Sequence, residues 1–197
     1  TEHSASMWHY LGLPPAELGP ARILPAPEAV TAVARRLAPA GLRGGYAFIN
    51  AFPRQPDMRW PAESYAGLLA WLRERWQLGA VLAHPAAPEP AVADPLLRAG
   101  ATLVAPTSVA ELIAVIAGAR IVIGSDGGPL HIAAALGKPV LALFGPTDAE
   151  TWAPWRTPHR LLIAPGTAVP AAAAQAAAQE LLADATGAAG PPQPPKL

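Results

Sequence analysis

The residues best suited to chemistry stand together as Asp126-Gly127-Gly128-Pro129-Leu130-His131. Two glycines without Cβ atoms let an anion approach the backbone, and the N–H groups of Gly127, Gly128, Leu130 and His131 are its candidate donors. Pro129 donates nothing, but its ring suits the first turn of a helix. The spacing predicts that Asp126 caps that helix by accepting from N–H groups two or three residues on, or accepts from a ligand hydroxyl. His131, one turn in, can donate to a phosphate or sugar oxygen. An ordinary strand-to-helix turn, with an N-cap Asp and a satisfied His, uses the same residues.

The flanking sequence supplies the elements that would position this turn. Before it, Ile121-Val122-Ile123 is a β-branched run of the kind buried on both faces of a sheet. After it, Ala133-Ala134-Ala135-Leu136-Gly137-Lys138-Pro139 closes a helix with a glycine stop, and Val140-Leu141-Ala142-Leu143-Phe144 is a second buried strand. That strand opens into Gly145-Pro146-Thr147-Asp148, another turn. A helix N-terminus carries unpaired N–H groups and the positive end of the macrodipole, so a crevice at the carboxyl ends of these two strands is predicted to take an anion.

Other chemistries fit less well. A serine nucleophile elbow needs glycine two residues before the serine, and Ile123 precedes Ser125 at that distance. Asp126 and His131 lack a third ligand at suitable spacing, so no metal is assigned. The 197 residues contain no cysteine, which excludes a disulfide framework, a thiolate metal site and a cysteine nucleophile. A net charge of zero and only 14% charged residues offer no electrostatic footprint for nucleic acid. No 18-residue apolar span or signal-like segment is evident, so a cytoplasmic setting without a transmembrane segment is the expectation.

The run from Asp126 to Ala135, followed by Pro139 and Leu143-Phe144-Gly145-Pro146-Thr147, resembles the signature of the family 9 glycosyltransferases, the heptosyltransferases of lipopolysaccharide core assembly. A weaker likeness extends upstream through Arg59-Trp60-Pro61. The resemblance implies the C-terminal, donor-binding half of a GT-B fold, a Rossmann-like open parallel sheet with helices on both faces. It implies a nucleotide-diphospho-sugar donor, with ADP-heptose the first expectation, and metal-independent transfer with no cofactor. The glycolipid acceptor and the catalytic base would then belong to an N-terminal domain. The chain is expected to lack that domain, to be inactive alone, and to work in the cytoplasm, peripherally at the inner membrane. No catalytic residue is assigned.

By the same resemblance, Asp126, Gly127, Gly128, Leu130, His131 and Arg59 bind the donor diphosphate. Thr107, Ser108, Glu89, Trp60, Phe144, Gly145, Pro146 and Thr147 form the nucleotide and sugar edge. Three positions depart from the family pattern. Met58 holds the place of a phosphate-binding lysine, Ala51-Phe52 the place of small or hydroxyl residues, and Gly127 the place of Ser or Thr. Methionine cannot neutralise phosphate, so Arg59 or Arg54 must supply the charge, or the donor is bound differently. A degenerate, non-catalytic sugar-nucleotide-binding or interaction domain is therefore the alternative, and a related sugar-nucleotide epimerase a second one.

The remainder of the chain reads as alternating strands and helices. Residues 1–44 are expected to be an inter-domain linker and helix, with a short amphipathic helix at Met7-Trp8-His9-Tyr10-Leu11 and a second whose apolar face holds Val30, Val33, Ala34 and Leu37. Residues 45–186 are expected to form the Rossmann-like domain, with strands at 46–51, 79–83, 101–105 and 160–164. Helices are predicted at 62–77, with Tyr65, Leu68, Leu69, Leu72 and Trp76 as core, and at 91–99, 109–117 and 171–185. The 109–117 helix is apolar nearly all round and reads as buried, opened by a Thr107/Ser108 to Glu111 capping box. His84 is read as a loop histidine, and Trp152 and Trp155 either shield a sugar from water or lid the core, with the structural role preferred. Residues 187–197 read as a Pro-rich disordered tail.

Overall fold

The computed structural model describes residues 19–42, 45–53, 58–84, 86–145, 149–163 and 169–185. The expectations at Met7 to Leu11, Arg54, Pro146, Thr147 and 187–197 lie outside these residues.

Six short apolar runs form one parallel sheet. They are β1 (Tyr46–Asn50), β2 (Gly79–Ala83), β3 (Ala101–Val104), β4 (Ala119–Ser125), β5 (Val140–Phe144) and β6 (His159–Ile163), in the order β3-β2-β1-β4-β5-β6. Parallel strands need crossover connections, and a helix lies in each of the five: α2 (Ala62–Trp76), α3 (Pro90–Arg98), α4 (Val109–Ala117), α5 (Gly128–Ala135) and the short α6 (Ala149–Trp152). α1 (Pro27–Leu37) precedes the sheet and α7 (Ala171–Ala185) follows it.

Side chains that alternate along each strand enter two cores, one on each face of the sheet. On one face Ile49, Leu82, Ile123 and Leu141 pack with Tyr65, Leu72 and Trp76 of α2, Leu96 of α3 and Leu181 of α7. On the other, Phe48, Val81, Val122 and Val140 pack with Val33 and Leu37 of α1, Val115 and Ile116 of α4 and Leu130 of α5. The predicted open parallel sheet with helices on both faces is therefore the fold observed. α1, assigned from sequence to the linker, contributes to the second core.

Two differences matter for function. The strand order reverses between β1 and β4, so the crevice belongs at their carboxyl ends, not between β4 and β5 as the sequence suggested. α4 is also less covered than its apolar composition predicts: Val109 is 68% exposed, and the residues fully withdrawn are Ala114, Val115 and Ile116. Among the described residues no helix is long and apolar enough to cross a membrane.

Candidate functional site

The turn after β4 is built on a polar network beneath it. Asn50, the last residue of β1, lies in register with Gly124 and donates from Nδ2 to the Ser125 carbonyl at 2.9 Å. Ser125 is fully buried, and its Oγ donates to the Met58 carbonyl at 2.8 Å, tying the loop after β1 across the end of β4. The Tyr65 hydroxyl adds a bond of 3.3 Å to the Asn50 carbonyl, and its burial pushes its pKa upward. A buried network whose members find partners holds a loop in one geometry. Sequence reasoning missed Asn50 and Ser125 and read Tyr65 as purely apolar. The signal available was a polar residue at the carboxyl end of each of two otherwise apolar strands.

Above this network the turn differs in detail from expectation. The helix N-cap is Gly127, one residue later than predicted, so Asp126 is not the cap. β4 runs through Ser125, which places Asp126 at the bend, where its carboxylate accepts from the Gly127 N–H. Gly127 has φ of 162°, an extended backbone that a Ser or Thr could also adopt. Leu130 turns its side chain into the core and donates its N–H to the Gly127 carbonyl at 3.0 Å, which removes it as a ligand donor. Gly128 is exposed, and a Cβ built on it would meet nothing within 4 Å. Of the two glycines, Gly128 is thus the more exposed, with open space beside its α-carbon.

His131 is half-buried, and its desolvation outweighs the field of Asp126 to lower its pKa. Asp126 is shifted upward, chiefly by desolvation, against the opposing pull of His131 and the Gly127 N–H. Near neutral pH the imidazole is therefore uncharged and offers one N–H. Its ring meets that of Trp152 edge to face, with centroids 6.3 Å apart.

Beside the turn a cleft of about 520 Å³ lies over the carboxyl ends of β1 and β2 and the start of α4. Asn50, Phe52, His84, Thr107, Val109 and Pro129 contribute to its walls. Phe52 and His84 stack edge to face with centroids 4.8 Å apart, so His84, expected to be an ordinary loop histidine, is a wall residue. Thr107 and Ser108 also line it, and the predicted capping box forms there. Ser108 Oγ accepts from the Glu111 N–H at 3.2 Å, while the Glu111 carboxylate accepts from the Thr107 N–H at 2.7 Å. The Thr107 N–H first, and then the Thr107 hydroxyl, which donates to the same carboxylate at 3.0 Å, hold the Glu111 carboxyl below its ordinary pKa.

Other predicted residues stand elsewhere. Trp60 is 1% exposed and donates its indole N–H to the Val169 carbonyl at 2.9 Å, and Phe144 is 1% exposed. Both are core, Trp60 in the cluster under α2 and Phe144 in the cluster on the opposite face of the sheet. Gly145 forms the bend after β5. Arg59 and Glu89 are joined by an ion pair of 2.8 Å, so Glu89 is engaged by the very cation expected at the phosphates. The Arg59 Nε is buried without an acceptor.

A six-stranded parallel sheet with a glycine-bearing turn at its switch point defines a Rossmann-like α/β domain. The chain belongs to glycosyltransferase family 9 (heptosyltransferase), whose family model matches residues 17–181. It is 33% identical over 126 residues to lipopolysaccharide heptosyltransferase 3 of Escherichia coli K12, an alignment that covers 61% of this chain and 37% of that relative. The fold is similar to that of a family 9 glycosyltransferase from Veillonella parvula, with a TM-score of 0.74 at 19% identity over 83% of this chain and 54% of that one. It is similar also to an Escherichia coli heptosyltransferase, WaaC, solved with ADP, with a TM-score of 0.60 at 27% identity over 70% of this chain and 43% of that one. The chain therefore spans well under two thirds of the length of these relatives.

Proposed function

We propose that this chain is the donor-binding half of a GT-B heptosyltransferase, and that it holds a nucleotide-diphospho-sugar, ADP-heptose first among them, for transfer to a glycolipid acceptor of the lipopolysaccharide core type. The observation that carries this reading is the open N-terminus of α5: Gly128 faces empty space at the β1/β4 switch point, beside a cleft of nucleoside size. The diphosphate lies on the Gly128 N–H and the His131 N–H, with the helix dipole behind it. The nucleoside occupies the cleft between the Phe52–His84 pair and the start of α4. Similarity to a heptosyltransferase solved with ADP supports the choice of base. A leaving diphosphate stabilised by helix-end N–H groups needs no metal to depart. Asp126 belongs to the turn and is assigned no role as a base.

Calorimetric titration of the chain with ADP, UDP and GDP tests the reading: saturable binding of ADP alone is expected, and binding of none would overturn it. The Arg59–Glu89 ion pair favours the second reading, a domain that has lost turnover, since it withholds Arg59 from the phosphates. Under the first reading Arg59 exchanges Glu89 for phosphate on binding. Glu89→Gln is then expected to tighten ADP binding by about threefold to tenfold at low salt. An unchanged affinity would leave Arg59 outside the site.

The pH dependence follows from the two shifted groups. An arriving diphosphate favours protonated His131 and protonated Asp126, so protons are taken up on binding and affinity rises as pH falls. Titrations with ADP-heptose between about pH 7.5 and about pH 5.5 are expected to show this rise, and His131→Gln to flatten most of it.

A further inference from the structure

We infer that Trp152 is the platform for the transferred sugar, its indole packing against the apolar C–H face of a hexose- or heptose-type ring attached to the diphosphate. This rests on the donor-binding reading above and specifies the sugar end of that site. The first observation is exposure. Trp60 and Trp76 are each 1% exposed and serve the core, whereas Trp152 is 46% exposed. It ends α6, a four-residue helix (Ala149–Trp152), and meets the ring of His131 at 6.3 Å. Of the two roles its sequence context offered, a lid on the core or a shield for a sugar, this exposure favours the second. Trp155 differs in turn, because the Arg156 guanidinium lies 5.2 Å from its ring centroid.

The second observation is direction. The sheet order places β2 and β3, with the cleft, on one side of the turn, and β5, which leads into α6, on the other. A ligand with its nucleoside in that cleft and its diphosphate at Gly128 and His131 therefore points its sugar toward β5 and Trp152. A sugar ring presents hydroxyls at its rim and C–H groups on its faces. A large apolar ring beside a single N–H donor matches that pattern and removes water from the anomeric carbon.

The test compares ADP with ADP-heptose by calorimetry for the parent chain, Trp152→Ala and Trp152→Phe, with the melting temperature of each as a check on folding. The expected result is that Trp152→Ala weakens ADP-heptose about tenfold and leaves ADP within about twofold, with Trp152→Phe between parent and alanine. Equal losses for both ligands, or none, with the parent still binding ADP, would overturn the platform and leave the donor reading standing. A parent chain that binds neither ligand would overturn the donor reading and the platform with it.

Discussion

Gly128→Val is expected to weaken ADP binding by about 100-fold, or about 2.7 kcal/mol, while leaving the melting temperature within a few degrees of the parent. Gly128 begins α5 with an ordinary helical backbone, and a Cβ there meets no protein atom within 4 Å. Folding therefore tolerates the branched side chain at a cost of about 1–2 kcal/mol, most of it from the ring of Pro129, which disfavours a helical β-branched residue before it. On the donor-binding reading the diphosphate approaches the N–H through this open space, where the valine methyl groups would meet its oxygens. A charge-assisted hydrogen bond to an anion contributes about 1.5–3 kcal/mol, and its loss together with the steric conflict accounts for the size of the effect. Titration and thermal denaturation of the purified variant check both halves, and ADP affinity equal to the parent's would remove the backbone cradle.

Gly124→Ala is expected to produce the opposite pattern, a loss of stability of about 3 kcal/mol or more that lowers the melting temperature by roughly 6–12 °C. Gly124 lies in register with Asn50 in the central pair of the sheet, and a Cβ on it would stand 2.6 Å from the Asn50 Cβ and press on the Asn50 carbonyl. Strand backbone cannot move aside as the end of a flexible side chain can. The two strands must separate at their carboxyl ends, which strains the Asn50 to Ser125 bond and the whole network under the turn. A melting temperature unchanged by the alanine would show that β1 and β4 do not approach as closely as described. Neighbouring glycines in one motif thus serve different ends, Gly124 the fold and Gly128 the ligand.

Much of the architecture was legible because it depends on local pattern. Val140 to Phe144 are buried on both faces and read as an unbroken apolar run, as a central parallel strand must. Gly137, at φ 68°, ends α5 where the sequence placed a glycine stop. Ser108 and Glu111 form their capping bond as the spacing predicted. What failed depended on distant partners. Nothing near Trp60 shows that its N–H meets the Val169 carbonyl, or near Arg59 that Glu89 holds it. Trp60 and Trp152 are chemically identical residues, and tertiary packing alone buries one and exposes the other. The crevice was misplaced for the same reason, since only strand order reveals that β1, not β5, is the partner of β4 at the switch point. The capping role slipped from Asp126 to Gly127 because β4 continues through Ser125, a boundary that a Ser-Asp-Gly-Gly run does not mark.

The central claim is that the α5 N-terminus receives a diphosphate, and amide nitrogen–proton NMR of the chain titrated in parallel with ADP and adenosine tests it most directly. With ADP, the resonances of Gly127, Gly128 and His131 are expected to move most and to saturate together, while adenosine shifts the cleft residues Phe52, His84 and Val109 and leaves the turn in place. Turn resonances that stay still with ADP, or move equally with adenosine, would contradict the account.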